Sequence, residues 1–205
     1  MAFKFEIIQI PHDDESVRAY LEQYKAFRLY SLKTAPGAFG STYEREIAFT
    51  DDIWYDRLAN PIANTFFAMQ SDRVVCMLTA MGPLACTPEE FTPSTDPWTF
   101  LNKDPAATVQ SHFRVNGMFT LPEARGQGVA KALMERFFKY GAVEAAKVGK
   151  EFVSSIVVDA DNPPARNLYE KCGFVALSEE PFGPGGSRIA VLMKYDPNSS
   201  EKTTS

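Results

Sequence analysis

Apolar positions in the N-terminal part of the chain change from strand-like to helix-like spacing. The apolar run Phe5–Ile10 predicts a first strand. The acidic segment Asp13–Glu15 suits a helix N-terminus, and apolar residues then recur at helical spacing from Val17 to Tyr30. Residues 34–41 predict a loop because they are rich in proline and glycine. We expect a second helix over Asp51–Leu58.

The rest of the chain reads as strands separated by two further helices. Alternating or continuous apolar runs predict strands at 65–69, 74–81, 113–120, 152–158, 173–177 and 189–195. Helical spacing predicts helices from about Gly128 to Val148 and from Pro163 to Cys172. Prolines are tolerated in a first helical turn, so Pro163 is compatible with the second of these. Residues 181–186 predict a loop.

One long segment, residues 83–109, lacks the periodicity of a helix or strand. It is rich in proline, threonine and aspartate, and we interpret it as an insertion between neighbouring strands rather than a second domain. Loops of this length are often functional. The sequence therefore predicts a single domain over residues 1–196, followed by a polar, flexible tail at 197–205.

Composition narrows the class of protein. A chain of 205 residues is long enough to bury one core. The formal charge of −5 and the lack of a basic cluster argue against nucleic-acid binding. The chain has no run of about 18 apolar residues and its start lacks the apolar run of a signal peptide, so we expect no membrane span. A cytoplasmic location is the expectation, with nuclear access left open.

Cysteine and histidine usage gives no sign of a disulfide framework or a metal site. The three cysteines, Cys76, Cys86 and Cys172, are odd in number and widely spaced, which is typical of reduced thiols in an intracellular protein. The two histidines, His12 and His112, are too few and too distant in sequence for a metal cluster. We therefore expect no bound metal.

The strongest chemical signal is the turn Arg-Gly-Gln-Gly-Val-Ala at Arg125–Ala130, between a predicted strand and a predicted helix. Helix N-terminal amides lack intrahelical partners, and glycine allows close approach of an anion, so the turn suits a pyrophosphate. A dinucleotide-binding loop is excluded because the sixth position from Gly126 is Lys131. A P-loop is excluded because Gly128 is followed by Val-Ala. An ordinary strand-to-helix turn is the alternative.

Through the sequence of this turn, the chain resembles the GNAT superfamily of N-acetyltransferases. Their acyl-CoA signature, Gln/Arg-x-x-Gly-x-Gly/Ala, is matched by Arg125-x-x-Gly128-x-Ala130. A second block, Asn162–Phe174, fits the family pattern Asn-x-x-Ala-x-x-Leu-Tyr-x-x-x-Gly-Phe. The resemblance covers about residues 65–195. It implies an α/β fold with a mixed, mostly antiparallel sheet of six or seven strands, helices on both faces and central strands splayed at Asn116-Gly117.

The resemblance also implies which residues bind acetyl-CoA, the expected co-substrate. Its cofactor-binding positions correspond here to Met118, Phe119, Thr120, Arg125, Gly126, Gln127, Gly128, Val129, Ala130, Asn162, Asn167 and Tyr169. The strand backbone would pair with the pantetheine arm, an amide near Met118 would stabilise the oxyanion, and the turn would hold the pyrophosphate. Tyr169 would be the general acid, since a phenol of pKa near ~10 is protonated at neutral pH. Core packing is the alternative role for Tyr169.

The sequence does not identify the general base. Some relatives carry an acidic residue five positions before the asparagine, where this sequence has Val157. Asp159, Glu44 and His112 are candidates, although each is more often a solvated or capping group, and a water relay is equally compatible.

The resemblance predicts an enzyme that moves the acetyl group of acetyl-CoA to a primary amine of a small molecule or peptide. The amine would attack directly in a ternary complex. A non-catalytic acyl-CoA-binding regulatory or interaction module is the alternative, and another acyl donor or an alcohol acceptor stays open. We expect a monomer or homodimer, with neither nucleic acid nor membrane as a partner.

The acceptor is not identified by the sequence. The segment Phe27–Glu46 is similar to the acceptor-side loop of some relatives. Side chains of this segment and of the 83–109 insertion are expected to shape the acceptor pocket. Within Phe27–Glu46 these side chains are Arg28, Tyr30, Phe39 and Tyr43. The acidic net charge slightly favours a cationic acceptor.

Overall fold

The computed structural model describes residues 3–84, 110–182 and 184–199. In these ranges the strands are β1 (Glu6–Gln9), β2 (Ala63–Gln70), β3 (Arg73–Leu84), β4 (Gln110–Thr120), β5 (Glu151–Asp159), β6 (Phe174–Phe182) and β7 (Arg188–Tyr195). The α-helices are α1 (Asp14–Thr34), α2 (Tyr43–Ile47), α3 (Asp51–Ala59), α4 (Val129–Lys147) and α5 (Pro163–Lys171).

The strands form one mixed, mostly antiparallel sheet of seven strands. Its order is β1-β2-β3-β4-β5-β7-β6. The pairs β1–β2, β2–β3, β5–β7 and β6–β7 are antiparallel, whereas β4 and β5 are parallel. The predicted fold class is thus confirmed. No helix in the part of the chain that the structure describes is long and apolar enough to cross a membrane.

The chain divides into two compact units. The first comprises residues 1–81 and 116–137, and the second comprises residues 82–115 and 138–205. Both β3 and β4 therefore contribute residues to each unit, and α4 begins in the first and ends in the second.

In the first unit, side-chain caps fix where the three N-terminal helices begin. The carboxylate of Asp13 accepts a hydrogen bond from the Ser16 amide at 2.9 Å, at the start of α1. Thr42 and Thr50 cap α2 and α3 in the same way. Such caps satisfy amides that have no intrahelical partner. The core of this unit contains large side chains with no more than 1% exposure, among them Trp54, Leu58, Phe66, Phe67 and Leu78.

In the second unit, the parallel pairing of β4 with β5 runs from Gln110↔Glu151 to Val115↔Ile156. It ends immediately before Asn116-Gly117, where the sequence places the bulge that splays the central strands. An aromatic cluster packs this unit, and the rings of Phe138 and Tyr195 stack with centroids 4.0 Å apart. The parallel pairing with β5 thus involves Gln110–Val115, the first half of β4.

One helix was not predicted from the sequence, and one predicted loop begins too early. Helix α2 follows the predicted loop at 34–41, and it is a short helix that begins at its Thr42 cap and has no apolar periodicity to reveal it. Strand β6 continues through Phe182, into residues 181–186 that were predicted to be a loop. Its polar C-terminal half pairs with β7 as far as Phe182↔Arg188. Because β6 is an edge strand, it tolerates Pro181 and solvent-facing glutamates.

The structure does not test two further predictions. Most of the 83–109 insertion (residues 85–109) and the end of the tail, from residue 200, lie outside the described residues.

We predict that Gly141→Ala lowers stability, although alanine is the better helix former by about 1 kcal/mol. A Cβ at Gly141 would lie 2.1 Å from Cε2 of Phe152, so the ring must shift. Overpacking of this kind costs about 1–3 kcal/mol. Urea unfolding should therefore show a net loss of free energy of unfolding. In a Phe152→Leu background the same change should be neutral or stabilising, and stabilisation in the wild-type background would contradict the packing.

Candidate functional site

The strand-to-helix turn predicted from the sequence is anchored at both ends in the first unit. The Leu121 amide donates to the Val75 carbonyl at 2.9 Å, and Ala124, in the short 3₁₀ turn that follows, is 1% exposed. Val129 is likewise 1% exposed and begins α4. The side chains of residues 125–128 are all exposed. A solvent-facing loop is thus held between two buried anchors.

Two glycines give this loop its backbone conformation. Gly126 and Gly128 have φ of 73° and 77°, in the left-handed region that glycine adopts readily. A Cβ at either position would meet no atom of the described residues within 4 Å, so these residues leave the surface beside the loop open. The first amides of α4 have no intrahelical partners and carry partial positive charge. The turn therefore offers an accessible backbone cradle for an anion.

The residues before the turn are held against α1. The ring of Phe119 makes contacts with the rings of Phe27 and Tyr30, with centroids 5.9 Å and 6.3 Å away. Arg125 Nε donates to the Thr120 carbonyl at 3.2 Å, and its guanidinium carbon lies 5.5 Å from the Phe119 centroid. The exposed Arg125 side chain is thus fixed beside the glycine loop, where it adds a full positive charge.

Of the remaining predicted positions, Met118 is half-buried in the same strand, Gln127 is exposed in the turn, and Ala130 is half-buried in the first turn of α4. The structure therefore brings together, within one unit, the nine predicted cofactor-binding residues from β4 and the turn. This grouping follows from their closeness in sequence.

The other predicted positions lie in the second unit, on α5. Asn162 caps this helix, and its Oδ1 accepts a hydrogen bond from the Ala165 amide at 3.3 Å. A ligand contact through Asn162 would consequently use its amide nitrogen. Asn167 is exposed. Tyr169 is 7% exposed, and its ring packs edge-on against Phe174 with centroids 6.0 Å apart.

The three candidate bases differ in environment. Glu44 is exposed on α2. The Asp159 carboxylate forms an ion pair with Arg188 and accepts a hydrogen bond from the Asp161 amide at 2.9 Å. His112 is fully buried, with Nε2 2.6 Å from Ser155 Oγ.

Burial, reinforced by the charge of Arg114, lowers the pKa of His112 to about 3. The imidazole is therefore neutral at physiological pH and has little tendency to take up a proton. This makes His112 the weakest of the three candidates on chemical grounds.

A pocket of about 200 Å³ opens in the first unit. Residues from α1, α3, β2, β3 and β4 line it: Tyr24, Arg28, Arg57, Asn60, Ala63, Met77, Thr79, Met81, Asn116 and Gly117. Its charged lining residues are both arginines. Of the residues expected from the sequence to shape an acceptor pocket, Arg28 does line it.

The two arginines share one buried carboxylate. Arg28 donates from Nε and Nη2 to Glu46 Oε2 and Oε1, at 2.9 Å and 2.8 Å. Arg57 Nη1 lies 3.1 Å from Glu46 Oε2. Burial acts to raise the pKa of Glu46, but the hydrogen bonds and charges of Arg28, with help from Ser41 and Arg57, outweigh it. The pKa of Glu46 is consequently below its ordinary value.

The other side chains expected at the pocket have supporting positions. Phe39 places its ring 4.7 Å from the Arg28 guanidinium carbon. Tyr30 is 45% exposed, and the Tyr43 ring lies 5.7 Å from Lys33 Nζ. Arg57 and Glu46 were not singled out in the sequence, because nothing in their spacing shows that α2 and α3 turn them towards Arg28.

Comparisons with known proteins agree with the sequence motifs. Residues 93–176 match the family model of the acetyltransferase (GNAT) domain. No curated protein is similar enough in sequence to be matched. Among solved structures, Arabidopsis thaliana NAA60 in complex with acetyl-CoA is 15% identical, with a TM-score of 0.64 and coverage of 95% of this chain and 99% of that one.

Two bacterial structures have the same fold. A GNAT-family acetyltransferase from Streptococcus pneumoniae is 13% identical, with a TM-score of 0.61 and coverage of 93% of this chain and 98% of the other. The ribosomal-protein-S18-alanine N-acetyltransferase of Escherichia coli is 14% identical, with a TM-score of 0.54 and coverage of 94% and 93%. The family-model match over residues 93–176 bears out the resemblance to the GNAT superfamily, and the solved structures show the same fold.

We predict that Glu46→Gln destabilises the protein at neutral pH by about 3–5 kcal/mol, because two arginines lose their shared carboxylate. A carboxyl with a lowered folded-state pKa stabilises the fold above its unfolded pKa, and this contribution is lost as pH falls through the folded value. Urea unfolding at several pH values should therefore show the gap between wild type and variant narrowing below about pH 4.3. A gap independent of pH would contradict this account, and the exposed Glu44→Gln is the matched control.

Proposed function

We propose that this chain, which carries a GNAT acetyltransferase domain, transfers the acetyl group of acetyl-CoA to a primary amine of a small molecule or peptide. The observation that carries the proposal is the turn at Arg125–Ala130. Its two glycines adopt positive φ, residues 125–128 are exposed to solvent, and it opens directly into α4. This is the arrangement that a helix N-terminus needs to hold a pyrophosphate.

Each predicted cofactor-binding group has a physical task in this proposal. The amides of residues 126–130 bind the pyrophosphate, and the Arg125 guanidinium neutralises part of its charge. The backbone of residues 118–120 aligns the pantetheine arm by strand-like hydrogen bonds. On α5, Asn162 and Asn167 contribute further hydrogen bonds to the cofactor. Acetyl-CoA supplies the activated thioester, and the chain orients it.

The reaction is a direct transfer with no covalent enzyme intermediate. The amine nitrogen forms a bond to the thioester carbonyl carbon, and the carbon–sulfur bond breaks. An amide near Met118 stabilises the negative charge that develops on the carbonyl oxygen. Tyr169 donates its proton to the departing thiolate, and the amine gives up one proton to a base or to water. Holding both reactants together makes the attack effectively unimolecular.

A non-catalytic acyl-CoA-binding module is the second candidate, and the environments of the candidate bases favour it. His112 is buried with a lowered pKa, and Asp159 is committed to an ion pair. Incubation with acetyl-CoA, an amine panel and a thiol reagent separates the two functions. Release of CoA that depends on the amine supports the enzyme, whereas cofactor binding without such release supports the module.

We predict that Gly128→Asp abolishes acetyl-CoA binding without unfolding the protein. The position has φ of 77° and space for a side chain, and aspartate tolerates this conformation better than most residues. The new carboxylate would repel the pyrophosphate. Isothermal titration calorimetry measures the loss, and Gly128→Asn is the matched neutral control. Tight binding by the folded aspartate variant would overturn the assignment of the turn.

We predict that Tyr169→Phe lowers kcat by about 10²-fold or more and leaves acetyl-CoA affinity nearly unchanged. Phenylalanine keeps the packing against Phe174 and removes only the proton donor. Steady-state kinetics and a cofactor titration test both parts. Tyr20→Phe, which removes a hydroxyl on α1, is the control. Unchanged turnover in Tyr169→Phe would leave Tyr169 with a packing role alone.

A further inference from the structure

We infer that the pocket of the first unit binds a carboxylate, so that the acceptor is a small amine that also carries a carboxylate, such as an amino acid. This inference rests on the proposed function, because it names the substrate class of that transfer. It follows from the charges, the donor directions and the size of the pocket.

The charge balance at the pocket is positive. Arg28 and Arg57 both line it, and both pair with the single carboxylate of Glu46. Among the described residues of this cluster, two guanidinium groups stand against one carboxylate, which leaves one positive charge uncompensated. Arg28 is 8% exposed and holds Glu46 through two nitrogens, so the charge left over lies mainly on Arg57. An anion entering the pocket would supply the opposite charge.

The geometry leaves a donor facing the pocket. Arg28 commits Nε and Nη2 to Glu46. Its remaining nitrogen, Nη1, is 3.9 Å from where a Cβ of Gly117 would stand, and Gly117 lines the pocket. Since Gly117 has no side chain, no Cβ stands between Nη1 and the pocket on that side. Guanidinium nitrogens form strong charge-assisted hydrogen bonds to carboxylates.

Arg57 provides the second cationic group. It contacts Glu46 through Nη1, and its side chain keeps 35% of its surface accessible. Tyr24 also lines the pocket, and burial raises the pKa of its phenol while the charge of the nearby Arg57 acts to lower it. The aromatic rings of Trp54 and Phe49, at 5.4 Å and 5.5 Å from the Arg57 guanidinium carbon, hold the side chain in place. Arg57 is therefore positioned in advance of binding.

The size and lining select a small organic acid. A volume of about 200 Å³ is below the about 300–1,000 Å³ typical of sites for drug-sized ligands. The lining also includes Ala63, Met77 and Met81, which offer apolar contact beside the cations. A compact ligand with one anionic and one apolar end matches this surface. A free α-amino acid has both features together with the amine that the transfer requires.

Binding of three related probes, without acetyl-CoA, tests the inference independently of catalysis. The probes are L-leucine, L-leucinamide and the aminophosphonate analogue of leucine, which share one amine and one side chain. Calorimetric titration should show L-leucine binding about 10- to 100-fold more tightly than L-leucinamide, the difference expected for charge-assisted hydrogen bonds. Equal affinity for the acid and the amide would overturn the inference. Preference for the phosphonate would overturn the assignment of a carboxylate.

Variants of single arginines test whether Arg57 is a residue that binds the carboxylate of the probe. Arg57→Gln should weaken L-leucine binding by about 10-fold or more and leave L-leucinamide binding unchanged, and Arg57→Lys should restore part of the loss. Arg45→Gln, at an exposed position of α2, should bind both probes as wild type does. Wild-type binding by Arg57→Gln would overturn the inference. Thermal unfolding establishes that each variant is folded.

The same probes separate this inference from the proposed function. Carboxylate-dependent binding with no amine-dependent release of CoA would leave the pocket assignment in place and overturn the enzyme. Acetylation of L-leucinamide and L-leucine at equal rates, with equal affinities, would support the enzyme and overturn the pocket assignment.

Discussion

The first unit depends on one buried carboxylate. Glu46, 1% exposed, lies on the short helix α2 and pairs with arginines of α1 and α3. A helix as short as α2 has little stability of its own. Its position against the two longer helices therefore depends on this ion pair and on the Thr42 cap. The same interaction orients two guanidinium groups towards the pocket, so that one contact determines both the packing of α2 and the charge of the site.

The two proposed sites would use different kinds of chemistry. At the turn before α4, the groups that would bind acetyl-CoA are backbone amides, with Arg125 as the charged side chain beside them. At the pocket, the groups that would bind the acceptor are side chains from several elements that are distant in sequence. Backbone amides suit the recognition of a ligand that enzymes of one fold share. Side chains suit the recognition of a ligand that differs between those enzymes.

This difference explains how much could be predicted from the sequence. The turn occupies consecutive residues, so its glycines and its place between β4 and α4 could be read directly. Long periodic elements such as α1 and α4 were predicted for the same reason. The charge of the pocket could not be predicted, because Arg28, Glu46 and Arg57 come together only through tertiary packing. The acidic net charge of the whole chain led to the expectation of a cationic acceptor, whereas the described residues at the pocket carry a net positive charge.

The positive φ of Gly126 and Gly128 also bears on how far the sequence around the turn can vary. A cradle made of main-chain amides places demands on conformation and hardly any on the identity of the neighbouring side chains. Exposed positions such as Gln127 are therefore open to substitution as long as the glycines keep the backbone in place. Sequences can drift far apart under that rule while the architecture persists. The Arabidopsis thaliana structure has the same fold over nearly the full length of both chains at 15% identity, which shows how far two sequences can differ under one architecture.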